Sequence, residues 1–295
     1  MVALITQSEF ARQKRQRETK GRIFYALCLA AVLISLAMLG VLLAKLGLDG
    51  YSRINWSFLT SYPSRHPEQA GILPALVGSV YVVGIAGVTS FVLGVAAAVY
   101  LEEYAQRSRL AQILRINIAN LAGVPSVVYG LLGLEIFVRV MDLNRSVLAG
   151  GLTLALLVLP LIIVASSEAI RAVPSSLREG GFGLGATRWQ VVRNLVLPQA
   201  FPGILTGVIL AVSRAIGETA PLIFIGGLTY VPFVPDSPLS GFTVMPIQIF
   251  NWISRPQPGF HEAAAAGIIV LLVVLLAMNA LAVFLRNKFQ NRLEG

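Results

Sequence analysis

Residues 147–170 read VLAGGLTLALLVLPLIIVASSEAI, and Glu168 is the one charged side chain among them. As an α-helix rising about 1.5 Å per residue, this stretch exceeds the roughly 30 Å of hydrocarbon in a bilayer. Five more apolar runs lie on either side of it, near residues 23–46, 74–101, 113–139, 199–228 and 263–286. A soluble domain of 295 residues has no place to hide six such runs, so the bilayer is the solvent they fit. Composition agrees: 56% of the residues are hydrophobic and only 13% charged, against about a quarter charged in soluble domains. Mean hydropathy is +0.76. The fold class is therefore an all-α membrane protein with six transmembrane helices.

A net charge of +9 raises the question of nucleic acid, but the placement of the charge answers against it. Arg12, Lys14, Arg15, Arg17, Lys20 and Arg22 stand just ahead of the first apolar run. Juxtamembrane Lys and Arg stay on the cytoplasmic side. The loop after span two, the long loop 171–198 and the C-terminal residues share this basic character. Both termini are thus expected in the cytoplasm: a basic segment 1–22, a membrane domain 23–286, and a tail 287–295. The first run is too long for the core of a signal peptide, and further spans follow it, so it reads as an uncleaved span.

The single cysteine, Cys28, permits no internal disulfide. His66 and His261 are the only histidines and read as loop residues; no metal site and no cofactor is expected. Outside the membrane, residues 47–73 carry the aromatic set Tyr51, Trp56, Phe58 and Tyr62. Residues 229–262 are rich in Pro and Gly around the apolar piece 245–253, which reads as a short helix lying at the membrane surface. In span two, Ala86, Ser90, Gly94 and Ala98 recur every four residues, a face against which another helix can pack closely.

The stretch with most functional content is Ser213-Arg-Ala-Ile-Gly-Glu-Thr-Ala-Pro221 in span five. Arg214 and Glu218 are four residues apart and share a helix face. Charged groups within a span cost at least ~2.5 kcal/mol each, so they persist by pairing or by lining a watery path. Gly203, Gly207, Ala211, Ala215 and Glu218 form one stripe, turned to a pathway or to a partner helix. Pro221 is expected to bend the helix near the charged pair. Two readings stay open here: a salt bridge that joins helices, or an arginine offered to a passing anion with Glu218 and flanking Ser213 and Thr219 beside it. Span three contains Gly123, Pro125, Ser126, Tyr129 and Gly130; Pro125 should break it and leave carbonyls near Leu121 for Ser126, water or a neighbour to satisfy. Glu135 is placed to pair with Arg139.

In loop 171–198, Pro174-Ser175-Ser176 reads as a helix start with Glu179 placed to cap it. Gly183 and Gly185 should end that helix, and a second piece from Trp189 should break at Pro198. The sequence has no Gly-x4-Gly-Lys-Ser/Thr loop: none of Lys14, Lys20, Lys45 and Lys288 follows a glycine. Nor does it hold a catalytic constellation, so an enzyme is not expected, and energy from ATP would have to come through another subunit.

The loop resembles the EAA motif of ABC importer permeases. Glu179, Gly185, Leu195, Leu197 and Pro198 fall at the motif's spacing, with Gly180 and Gly181 in place of its two alanines. Residues 121–130 (LAGVPSVVYG) and 213–222 (SRAIGETAPL) are similar to the signatures of phosphate-specific transport permeases of the PstA type. That resemblance runs from span one to span six. It implies a type I importer fold in the bacterial inner membrane and a second, homologous permease subunit alongside. It also implies two copies of a cytoplasmic ATPase docked on the EAA loops, and an extracytoplasmic phosphate-binding protein. Membrane lipid surrounds such a permease. The resemblance implicates Arg214 and Glu218 in transport and adds Arg171. Other oxyanions such as sulfate or molybdate, or a scaffold that transports nothing, are the alternatives.

Overall fold

The computed structural model describes residues 7–105, 108–227 and 230–294. The outermost ends of the N-terminal segment and tail, and the junction at 228–229 where span five was expected to end, lie outside these residues. The described chain is helical, with no strand among the described residues. Its helices are α1 Gln7–Gly50, α2 Trp56–Thr60, α3 Leu73–Val99, α4 Arg109–Leu121, α5 Ser126–Gly133 and α6 Val147–Arg171. They continue with α7 Ser175–Gly183, α8 Arg188–Val191, α9 Leu197–Gly217, α10 Ala220–Leu222, α11 Met245–Ile253 and α12 Pro258–Glu294. Wide π turns extend α3 through Tyr104 and α5 through Val140, and join α8 to α9.

Five of these segments are long and apolar enough to cross a membrane: α1, α3, α6, the α8–α9 run and α12. The sixth is the pair α4 and α5, bent by 105° at a break that ends on Pro125. Pro125 holds extended angles (φ −55°, ψ 137°) in which a helix cannot continue.

Helix α6 is the centre of the bundle, buried along most of its length. The small stripe of span two meets it: Ala86, Ser90, Gly94 and Ala98 are buried, and a Cβ on Gly94 would fall 2.6 Å from the Ile162 Cγ2. Helix α9 lies on α6 as well. A Cβ on Gly203 would sit 2.8 Å from that of Ala169, and one on Gly207 2.3 Å from that of Ala165. Backbones at that separation admit only glycine. The stripe from Gly203 to Ala215 therefore faces a helix of this same chain, and Glu218 has left it because α9 stops at Gly217.

One expectation fails outside the site. Pro198 does not break the second loop piece: it enters α9 in its first turn, and the π turn Val192–Val196 carries the helix through. Proline lacks only a donor that a first turn leaves unpaired anyway. Helix α11 forms where a short helix was expected, and one side of it packs on protein: Met245, Ile247, Ile249 and Trp252 are buried against α12 and α3, the Met245 N–H donates to Ser79 Oγ at 2.8 Å, and Trp252 packs on Phe58 at 5.8 Å, while Phe250 and Ile253 stay exposed. By contrast α1 leans on α12, where Gly50 meets Ala265 and Ala266, while its apolar side chains from Ile23 to Leu43 are exposed.

Candidate functional site

Span five ends its regular helix at Gly217. Glu218 takes extended angles (φ −75°, ψ 124°), its N–H still reaching the Ala215 carbonyl at 3.2 Å, and helix resumes at Ala220 with Pro221 in the first turn. Arg214 therefore lies in the last turn of α9, where the helix dipole is negative, and its Nε donates to Glu218 Oε1 at 3.3 Å. The pair is unequal in exposure: the Arg214 side chain is 52% accessible and that of Glu218 16%. The pairing of Gly203 with Ala169 and Gly207 with Ala165 fixes how α9 lies on α6. Continued antiparallel at the same rise per residue, it puts Arg214 about level with Val158, near the middle of α6. Half of the Arg214 side chain is thus left uncovered by this chain at that level of the bundle.

Ser213 turns elsewhere, donating to the Ile209 carbonyl at 2.7 Å and meeting Asn279 Oδ1 of α12. Thr219 is half-buried at the break.

The break in span three is closed from within. The Tyr129 hydroxyl donates to the Leu121 carbonyl at 2.8 Å, and the Val124 N–H reaches the same oxygen at 3.0 Å. Tyr129, not Ser126, thus satisfies the carbonyl that Pro125 frees; Ser126 begins α5. The Tyr129 ring shares a buried cluster with Ala211 and Ala215 of α9. At Gly130 the two broken spans touch, since a Cβ there would fall 2.7 Å from the Pro221 Cα. Glu135 pairs with Arg139 at 2.8 Å, exposed and apart from this contact. Tyr129→Phe should lower the melting temperature of the assembled protein by the equivalent of about 1 kcal/mol. Differential scanning fluorimetry measures it, and the effect comes from one lost hydrogen bond across the break.

In loop 171–198, Pro174 occupies the cap position of α7 without a side-chain bond, and Glu179 is exposed in mid-helix, so it caps nothing. Helix α7 ends at Gly183, followed by Gly185 at φ +79°, a left-handed angle that suits glycine. The second piece starts at Arg188 with a capping box of Thr187 and Gln190. Leu177, Phe182, Leu184 and Trp189 are exposed on this loop, Leu184 at 91%. Gly181 packs beneath it, 2.8 Å from Leu195 Cδ1 for an added Cβ, whereas Gly180 faces open space and Leu197 and Pro198 are half-buried. Gly180→Ala should therefore stabilise α7 by up to ~1 kcal/mol, a gain that Gly181→Ala loses to crowding. Paired thermal melts of the two variants measure the difference.

Sequence reasoning passed over the charged residues where the end of α3 meets α4. The π turn Tyr100–Tyr104 lets two successive carboxylates, Glu102 and Glu103, both point inward, and both are buried. Glu102 receives Arg171 through two bonds of 2.9 Å, with Arg115 at 3.3 Å. Glu103 receives Arg178 at 2.8 Å. The available signal was Glu102-Glu103 itself, two carboxylates at the end of an apolar run.

Residues 90–293 match the family described as binding-protein-dependent transport system inner membrane component. The phosphate transport system permease protein PstA of Haemophilus influenzae is 32% identical over 277 residues, covering 94% of this chain and 96% of that one. PstA of Yersinia pestis is 33% identical over 94% of this chain and 95% of its own length. The probable ABC transporter permease protein YqgI of Bacillus subtilis is 31% identical over 90% and 95%. Among solved structures, a bacterial ABC transporter for the polysaccharide alginate superposes with a TM-score of 0.65 at 14% identity over 94% of this chain. The methionine transporter MetNI, inward facing, superposes at 0.61 and 16% identity over 74%. At such identities the structures establish a common fold, that of type I ABC importer permeases. This chain belongs to the family of binding-protein-dependent transport system inner membrane components, as an ABC importer permease whose relatives include PstA-type phosphate permeases.

Proposed function

We propose that this chain forms half of the translocation path of an ATP-driven importer of inorganic phosphate in the bacterial inner membrane. The observation that carries this reading is the half-exposed Arg214 near mid-span, steadied by Glu218 and lacking cover from its own chain. A guanidinium at that depth is not left to lipid; it faces water or a second protein. Its planar fork suits an oxyanion. Partial neutralisation by Glu218 keeps the hold weak, as a site that must also release its ion requires. Tyr129 and Ser126 stand at the neighbouring break, where two interrupted spans supply the irregular backbone that such paths tolerate.

The partners follow from uncovered surfaces. The exposed apolar side of α1 suits a homologous second permease. The exposed Leu177, Phe182 and Leu184 of the α7 loop, with Glu179 and Gly185, suit a groove on a cytoplasmic ATPase, one copy per permease. The outer segments suit an extracytoplasmic phosphate-binding protein, which the relatives' names favour. The test is uptake by the assembled complex in proteoliposomes containing ATP. Labelled phosphate should enter only with the binding protein outside, and excess sulfate or molybdate should leave that uptake unchanged. Uptake that sulfate or molybdate suppresses would assign another oxyanion. A chain that never co-purifies with an ATPase would be a scaffold.

A further inference from the structure

Helix α7 lies in a segment that ought to yield under load. Gly180, Gly181, Gly183 and Gly185 crowd six positions, and glycine gives a helix little stiffness. A helix pushed from below through such a segment would flex and pass little displacement upward. One residue of α7 nevertheless fastens it to the membrane domain. Arg178 donates from Nε and Nη2 to Glu103 Oε1, at 3.1 and 2.8 Å, so the end of span two holds it. Its Nη1 donates to the Val173 carbonyl at 2.7 Å, and Nη2 also to the Ile170 carbonyl at 2.8 Å, so the end of span four holds it too. The side chains are 17% and 7% accessible, which shields the pair from the solvent screening that weakens surface ion pairs. The neighbouring Glu102 ties the same turn of span two to Arg171 of span four and to Arg115 of α4.

We propose that Arg178 and Glu103 form a positioning pair, a strut through which movement of α7 is delivered to spans two and four. The glycine loop around it supplies hinge freedom and the strut supplies direction. Span five receives the movement separately, through the packing of Gly181 on Val191 and Leu195. This rests on the reading that α7 docks an ATPase, and the experiment separates the two.

The complex with the second permease and ATPase is assembled with Arg178→Met, and with the double variant Arg178→Met, Glu103→Gln. The single variant strands a buried carboxylate and is expected to be less stable; the double variant removes that burden. If the pair positions α7, the double variant regains stability and hydrolyses ATP, yet its phosphate uptake per ATP falls about tenfold. Should the double variant recover uptake along with stability, the pair is only structural and the proposal is overturned. Should the double variant not assemble, spin labels decide in the otherwise native complex. They are placed at Gly180→Cys and Ala96→Cys in a chain with Cys28→Ala. Their separation should stay constant between nucleotide-free and ATP-trapped states, and a changing separation overturns the strut. If the unaltered chain itself fails to bind the ATPase, the docking assignment fails, not the strut alone.

Discussion

Arg214→Gln should reduce ATP-driven phosphate uptake about ten- to a hundredfold, while the complex still assembles. The size follows from one charge-assisted interaction with an anion, worth about 1.5–3 kcal/mol. The direction follows from geometry: the Arg214 side chain is 52% accessible, so its loss leaves no hole in the packing of this chain. Glutamine keeps length and hydrogen bonding but gives up the charge and the fork. Arg214→Lys keeps the charge alone and should fall in between. Glu218→Gln acts the other way on the same pair: it frees the guanidinium, so the ion should be held longer and turnover should slow without loss of binding. Initial uptake rates at several phosphate concentrations separate these outcomes. An Arg214→Gln variant that assembles and transports at the native rate would remove the residue from the path.

Gly130→Ala should damage stability and transport together. The added Cβ would lie 2.7 Å from the Pro221 Cα, 2.9 Å from its carbonyl oxygen and 3.1 Å from Phe224 Cδ2. The first two are backbone atoms, and Pro221 is fixed in φ, so no side chain can swing aside. Overpacking of this kind costs about 1–3 kcal/mol. Relief would force spans three and five apart at the level where both are interrupted. Gly84→Ala in α3, where nothing stands within 4 Å of the new methyl, is the matched control and should stay neutral or gain slightly. Thermal melts and uptake of both variants in the assembled complex measure the contrast.

Much of this architecture is written plainly in the chain. The apolar run that became α6 needed only its length, and the four-residue spacing of Ala86, Ser90, Gly94 and Ala98 marked the face that packs on it. Pro125 announced the break in span three, and Arg214 and Glu218 announced their pair. What could not be read depends on contacts distant in sequence. The hydroxyl of Tyr129 reaches back eight residues over a break whose 105° bend no local pattern specifies. The stripe from Gly203 to Ala215 showed small residues but not which helix they face, and α6 turned out to be that helix. Helix α11 has an apolar pattern that names no partner, and only the contacts of Met245 with Ser79 and of Trp252 with Phe58 show what it packs on. Arg178 and Glu103 are 75 residues apart, so the Glu102-Glu103 doublet can hint at buried carboxylates but not at their partners. Pro198 misled for a local reason, because a proline in a first turn is harmless and a π turn had already widened the helix before it.

Position 214 should meet an aqueous route. Cys28 is the only cysteine, so Cys28→Ala gives a background on which a single thiol can be placed at Arg214→Cys. The measurement is the rate at which a membrane-impermeant, charged thiol reagent modifies that position in the assembled complex, with Val88→Cys on the exposed face of α3 as the comparison. If position 214 meets an aqueous route, the thiol there is modified, at a rate that differs between nucleotide-free and ATP-trapped complexes, and the thiol at 88 is not. A thiol at 214 that stays unmodified in both states would contradict it.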